Sequence, residues 1–248
     1  MPDSAASRRA ALVTGAARRI GAVIARRLHA AGFDVALHAR RSRAALDALV
    51  EDLERARASS TLALEADLGD VAVLADLVNA CVERFGRLDA LVNNAAAFYP
   101  TPIGSATPAQ WDELFGTNAR APFFLAQAAA PHLAAASGAI VNIVDIYAER
   151  PLASHPIYSM SKAALAAMTK ALARDLAPHV RVNGVAPGAI LWPDSGKSDA
   201  AQQAVIERTP LRRTGSPDDI AGAVLWLLDA EFVTGEIVRV DGGRHLAM

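Results

Sequence analysis

Seven short runs rich in aliphatic and β-branched residues are spread along the chain: "ALVT", "VALH", "TLALEAD", "LDALVNNA", "AIVNIVD", "VRVNGVAP" and "EIVRVDGG". They alternate with longer stretches of helical periodicity. Ile20, Val23, Ile24, Leu28 and Ala31 mark the buried stripe of one such helix, and Leu46, Leu49, Val50 and Leu53 mark another. A spacer of helix length carries the chain back to the starting edge of the sheet, so successive strands run parallel and helices cover both faces.

The expected fold class is therefore α/β, a single-domain Rossmann-type doubly wound parallel sheet of about seven strands flanked by helices. A chain of 248 residues that is 52% hydrophobic can bury a sizeable core in one unit, here taken as residues 1–248. Ala11 to Thr14 is read as the first strand. Ligands of such sheets bind beyond the carboxyl ends of the strands. The segment 187–208, beginning "PGAILWPDSGKSDAAQQ", combines loop-forming residues with Leu191 and Trp192, as a substrate loop or lid would, although a plain surface loop has the same composition.

With 25 basic and 26 acidic residues the chain has no overall charge to draw it to nucleic acid or an anionic membrane, so any basic site is local. Cys81, the only cysteine, falls in the helical pattern "LADLVNACVERFG" and reads as a core thiol; no intrachain disulfide can form. Arg8 and Arg9 resemble a twin-arginine signal, but the apolar run behind them is a few residues long and leads into a glycine motif. No apolar run approaches the ~20 residues of a membrane helix, and a cytoplasmic protein is expected. His29, His38, His132, His155, His179 and His245 show no ligand spacing, so no metal site is expected.

"TGAARRIG", residues 14–21, joins the first strand to the first helix. Backbone amides at that helix start, with Gly15, Arg18, Arg19, Ile20 and Gly21, could cradle a pyrophosphate. An acid after the second strand would take hydrogen bonds from adenosine ribose hydroxyls; this chain has "LHARRS" instead. His38, Arg40, Arg41 and Ser42 there suit a 2′-phosphate, so the cofactor expected is NADPH/NADP+. Asp67 and Leu68 after the third strand, and Asn94, Ala95 and Ala96 after the fourth, fall where the adenine and its ribose would lie. Each polar residue could equally cap a turn.

The run "IVNIVD" delivers a carboxylate, Asp145, to the carboxyl end of an apolar strand. Tyr158 follows thirteen positions later and Lys162 four after that, so the two share one helix face. An ammonium beside a phenol favours the phenolate, and a lowered Tyr158 pKa is the expectation. A carboxylate at position 145 would repel an alkoxide forming on a ketone, but suits a substrate that offers N–H donors or needs a proton on a ring nitrogen.

The glycine loop, "NNAA", Asn118 in "GTNARAP", Y-x-x-x-K, Pro187 and Gly188, and "VDGG" together resemble the short-chain dehydrogenase/reductase family across nearly the whole chain. The resemblance implies that Tyr158 is the acid/base, that Lys162 also holds the nicotinamide ribose and that Asn118 organises a proton relay. Two positions depart from the broad pattern: Arg19 replaces its middle glycine, and Asp145 replaces the serine that holds a carbonyl oxygen. Those departures, with "LHARRS", "NNAAAFYPTP", "PGAILWP" and "DGGRHL", are similar to the pteridine reductase and dihydromonapterin reductase branch. That likeness implies a pterin between the nicotinamide and Phe98, with Asp145, Tyr158 and Arg19 around it and Leu191 and Trp192 nearby. Ala96 stands where some of that branch carry a pterin-binding serine. The family habit implies a homotetramer in which Arg244, His245 or Met248 could approach a neighbouring site.

The expected function is NADPH-dependent reduction of a dihydropterin, with dihydrofolate or an oxidised pterin as further substrates, to the tetrahydro form. The expected partner is that small molecule, with no nucleic acid and no membrane. Two rivals stand beside it: a reductase of a ketone such as a 3-oxoacyl substrate, and a non-catalytic NADP(H)-binding sensor.

Overall fold

The structure, a computed structural model, describes residues 8–192 and 198–247. Met248 and positions 193–197 of the expected lid lie outside the described residues.

Seven strands form one parallel sheet in the order β3-β2-β1-β4-β5-β6-β7. In chain order the elements are β1 (Ala10–Val13), α1 (Arg19–Ala30), β2 (Asp34–Ala39), α2 (Arg43–Ala56), β3 (Thr61–Glu65), α3 (Leu74–Phe85), β4 (Ala90–Asn93), α4 (Pro108–Phe115), α5 (Ala121–Ala135), β5 (Ala139–Ile143), α6 (Pro156–Asp175), β6 (Arg181–Pro187), α7 (Asp199–Glu207), α8 (Pro217–Asp229) and β7 (Ile237–Val240). The first strand begins one residue earlier than the pattern suggested. All seven apolar runs become strands, and the expected α/β doubly wound architecture is present.

Strand alternation distributes the core between two layers. Ala11, Val13, Val35, Leu37, Val92 and Val141 face the layer of α1, α2 and α8, where they meet Ile24, Leu28, Leu46 and Val224. Leu12, Ala36, Leu91 and Ile140 face α3 and α5, against Val78, Cys81, Leu125 and Ala129. Each of the Val, Leu and Ile side chains contributes about 1.5–3 kcal/mol on burial, and two-sided coverage explains why the central strands read as unbroken apolar runs. Cys81 is a core thiol as expected, and burial pushes its pKa up to about 12. The α1 stripe stops short of the expected Ala31, which caps the helix and is exposed.

Winding reverses between β1 and β4: β2 and β3 build outward on one side, β5 to β7 on the other. Connecting chains diverge there and leave a crevice past the strand ends. A second feature shapes its wall. Between α4 and α5 the chain makes a π-helical turn over Gly116–Arg120, which carries Asn118 inward. Such turns are rare and concentrate at functional sites. No helix among the described residues is long and apolar enough to cross a membrane.

Candidate active site

Close backbone approach builds one end of the crevice. A Cβ on Gly21 would fall 2.1 Å from the Gly15 carbonyl oxygen and 2.5 Å from Asn94 Nδ2, so only glycine lets α1 start against the loop. Gly15 itself has φ +64° and lies against Ala95. Side chains pin this turn to β4. Thr14 Oγ1 accepts from the Asn94 and Ala95 amides at 3.0 and 3.1 Å, and Asn94 Nδ2 donates to the Thr14 and Gly15 carbonyls at 2.8 and 3.0 Å.

Two sequence expectations change here. His38 is buried, 2% exposed, with Nδ1 facing the Gly15 amide at 3.3 Å and Nε2 facing the Ala66 carbonyl at 3.1 Å. Those partners call for a neutral ring that accepts at Nδ1 and donates at Nε2, and burial lowers its pKa accordingly. His38 is therefore a brace for the glycine loop and not a cation for a phosphate. Asn94 likewise donates its side-chain N–H groups to the loop, so what it can offer a ribose hydroxyl is its acceptor oxygen.

The rest of the lining has the chemistry a dinucleotide phosphate needs. Helix α1 starts with no side-chain cap and no acid in its first turn, whereas α8 starts with a full capping box from Ser216 and Asp219. Uncapped amides leave partial positive charge at the crevice. A cavity of about 540 Å³ runs from there past Asp67, Leu68, Ala95 and Ala96, with exposed Arg18, Arg19 and Arg40 on its rim. Arg41 and Ser42 line a smaller hollow with Arg18 and Arg40 beside the end of β2. These groups fit an adenine dinucleotide, and the second hollow has the cations a 2′-phosphate would need. Arg19 has φ +53°, a left-handed backbone that glycine adopts without strain, and its Nη2 donates to the Trp192 carbonyl at 2.9 Å.

Ionisable groups build the other end. Past Ile143 the chain turns, and Asp145, in extended conformation, caps the 3-10 turn Ile146–Ala148 by accepting from the Tyr147 amide at 2.9 Å. Its second oxygen accepts from the Tyr158 hydroxyl at 2.6 Å. Tyr158 and Lys162 project from one face of α6, and Lys162, 2% exposed, donates to the Ile143 carbonyl at 2.7 Å. Part of Asp145 reaches the cavity, but its carboxylate is desolvated, which raises its pKa; the bonds from Tyr158 and Tyr147 and the Lys162 charge offset that rise in part. Desolvation lowers Lys162 to about 8.

Tyr158 runs opposite to expectation. Its pKa is well above the usual phenol value because it is buried and faces the Asp145 carboxylate. The Lys162 ammonium is committed to the Ile143 carbonyl, so in this arrangement the acid, not the base, governs the phenol. Tyr158 and Asp145 share one proton contact and titrate as a pair.

Asn118 is fully buried. Its Oδ1 accepts from the Ala97 amide at 2.9 Å, and Nδ2 donates to the Ala97 carbonyl at 3.0 Å and to Ser161 Oγ at 2.9 Å. The π turn thus locks the segment after β4 to α6. Phe98, on that segment, stacks on His155 with ring centres 4.9 Å apart and meets the Tyr158 ring edge-on at 4.7 Å. It is 43% exposed. A cavity of about 190 Å³ joins Arg19 and Ala96 to Asp145, Tyr158, Lys162, Pro187, Gly188 and Leu191. Gly188 is needed there, since a Cβ would meet Asp241 Cβ at 2.6 Å. Trp192 takes part through the carbonyl bonded to Arg19. Among the described residues no three His, Cys, Asp or Glu side chains cluster as a metal site.

Sequence reading missed several contributors. Ile143 acts through its backbone, which no sequence pattern reveals. Ala97 lies inside "NNAAAFYPTP" and Ser161 inside Y-x-x-x-K, and Tyr147 and His155 lie within three positions of Asp145 and Tyr158, but none has a signature of its own. Helix α7 occupies much of the expected loop 187–208. Arg244 and His245 are engaged within their own chain: Arg244 donates to the Val205 carbonyl at 3.1 Å and His245 Nδ1 lies 2.7 Å from Asp241.

Comparison with known proteins settles the family. The family model described as Enoyl-(Acyl carrier protein) reductase, a short-chain dehydrogenase/reductase grouping, matches residues 15–245. The chain is a short-chain dehydrogenase/reductase. This short-chain reductase is 41% identical over 245 residues to a protein named as ketoacyl reductase 2 of the granaticin polyketide synthase from Streptomyces violaceoruber, covering 95% of this chain and 96% of that one. It is 37% identical over 278 residues to pteridine reductase 1 of Leishmania tarentolae, covering 95% and 96%. It is 33% identical over 243 residues to a 3-oxoacyl-[acyl-carrier-protein] reductase of Staphylococcus aureus, covering 96% and 98%. Reductases of this family use NAD(P)H, and the chain is an NAD(P)-dependent oxidoreductase.

Proposed function

We propose that the enzyme uses NADPH to reduce a pterin, taking a dihydropterin, and by the same chemistry dihydrofolate or an oxidised pterin, to the tetrahydro form. The observation that carries this reading is the Asp145 carboxylate bonded to the Tyr158 hydroxyl at 2.6 Å, at the position where the broad family pattern has serine. An ionised carboxylate opposes charge growth on a ketone oxygen, whereas it accepts from the N–H groups of a pterin edge. A raised Asp145 pKa also lets the pair hold the proton that a C=N nitrogen must gain. Held by the glycine loop and the arginines at its rim, NADPH would supply the hydride that the ring carbon gains. Tyr158 gives its proton to the ring nitrogen, Asp145 relays the replacement, and Lys162 keeps positive charge beside them. Phe98 stacks on His155 and meets Tyr158 beside the cavity, and a flat heterocycle would bind next to this aromatic pair. Arg18, Arg40, Arg41 and Ser42 would favour NADPH over NADH.

A ketone-reducing reading has its own support in the 41% identity to a protein named as a ketoacyl reductase. NADPH oxidation with dihydrobiopterin, dihydromonapterin and dihydrofolate beside a panel of 3-oxoacyl ketones, at acidic and neutral pH, separates the two. Turnover of a dihydropterin is expected; turnover of ketones alone would overturn the pterin reading. We also propose a cytoplasmic homotetramer, for which exposed Trp111, Phe123, Trp226 and Phe232 supply apolar surface, and light scattering checks the mass.

A further inference from the structure

The segment after β4 is clamped at both ends of the stretch that carries Phe98. At the first clamp Asn118 holds Ala97. At the second, Thr101, which is fully buried, joins the start of α6. Helix α6 needs a partner there: its N-cap residue, His155, makes no capping hydrogen bond through its side chain, and its first residue is Pro156. The next amide, that of Ile157, has no acceptor within the helix. Thr101 Oγ1, 56 residues away in sequence, accepts from it at 3.4 Å, the service that an N-cap side chain ordinarily gives its own helix. The Thr101 amide in turn donates to the Ser154 carbonyl at 2.7 Å, and Ser154 has φ +61°. A left-handed backbone is unfavourable for serine and persists only where its surroundings hold it.

Phe98 stands between the two clamps, stacked on His155 and edge-on to Tyr158. His155 Nδ1 donates to the Ala153 carbonyl at 2.8 Å, which fixes the imidazole under it. Ala97 and Tyr99, on either side of Phe98, pack on the buried cluster of Leu114, Ile157 and Tyr158. Since the Phe98 ring is itself partly exposed, the clamps decide where it lies.

We propose that Thr101 is a positioning residue whose bonds to Ser154 and Ile157 hold the Phe98 ring against Tyr158 and so set where the reacting phenol points. The inference rests on the reading of Tyr158 as proton donor and not on the identity of the substrate. Tyr158 follows Ile157 directly, so one bond steadies the backbone that carries the phenol and the other steadies the ring beside it.

Site-resolved hydrogen exchange on the native chain comes first. The Thr101 and Ile157 amides should be protected together, whereas the second amide of an uncapped helix exchanges freely; an unprotected Ile157 amide would remove the clamp with no variant or substrate involved. Thr101→Val keeps the shape and loses the hydroxyl. With the substrate that the native enzyme turns over best, and well below the unfolding midpoint, it is expected to lower kcat about tenfold while NADPH affinity stays within about twofold. Thr101→Ser keeps the hydroxyl and should retain most of kcat. Combined with Phe98→Leu, Thr101→Val should cost little beyond Phe98→Leu alone. A lower unfolding midpoint with unchanged kcat, a serine variant as slow as the valine one, or additive losses would overturn the role. If Thr101→Val folds too poorly to assay, His155→Leu removes the ring stacked on Phe98 from a half-buried position; it should lower kcat in the same sense, and an unchanged kcat there counts against the proposal. The exchange measurement needs no substrate, so its failure is separate from failure of the pterin reading.

Discussion

Gly21 and Asp145 sit at opposite ends of one crevice and are intolerant of change for different reasons. At Gly21 the constraint is space: backbone meets backbone, polar side chains are spent on bracing, and arginines line the rim. At Asp145 the constraint is charge: an acid, a phenol and an ammonium are packed out of water, each pushing the proton affinity of another. The first end is prepared to receive a ligand rigidly, the second to pass a proton. Changes at the first should therefore act on binding, and changes at the second on turnover and its pH dependence.

Tyr158→Phe tests the proton end most severely. We expect kcat to fall by about 10²–10⁴-fold with NADPH affinity nearly unchanged, measured by NADPH oxidation and by fluorescence titration. A comparable loss of NADPH binding would erase the division between the two ends. Gly21→Ala is its counterpart: overpacking costs about 1–3 kcal/mol, seen as a lower unfolding midpoint and weaker NADPH binding. Arg41→Ala should raise the KM for NADPH about tenfold while leaving that for NADH little changed, because one charge-assisted contact to the 2′-phosphate is lost. Equal effects on both cofactors would move the 2′-phosphate elsewhere.

The pH dependence gives the finest distinction. Lys162 titrates at about 8 folded against 10.5 as an ordinary lysine, so across that window the unfolded chain holds a proton the folded chain has released. Its contribution to stability then rises with pH across the window, while activity falls as pH climbs through about 8 and the ammonium is lost. Urea unfolding and turnover measured across that range should trend in opposite directions, and Lys162→Met should remove the stability trend. Parallel trends would mean that Lys162 keeps its charge through a partner other than Asp145.

Much of this was readable beforehand. The doubly wound parallel sheet follows once seven apolar runs are separated by helices, whereas the strand order, with its reversal between β1 and β4, comes from the tertiary structure. Tyr158, Lys162 and Asp145 were legible because helix periodicity and strand ends place them. His38 was misjudged for a physical reason: "HARRS" shows a basic cluster, but only the register of β2 beside β1 and β3 turns the imidazole inward between Gly15 and Ala66. The same holds for Tyr158. Spacing reveals a lysine one turn away, yet the direction of its pKa shift depends on which group the ammonium faces.

The sequence by itself determined the layered α/β architecture, the glycine-dependent turn and the residue types at the reacting end, since these follow from periodicity and short-range spacing. Only the tertiary structure decided which polar groups are free and which are spent. It assigned Asn94 and His38 to bracing, Lys162 to the Ile143 carbonyl and Arg244 to the Val205 carbonyl of α7. Those choices join residues distant in sequence, and burial sets the energy of each one, so no local pattern contains them.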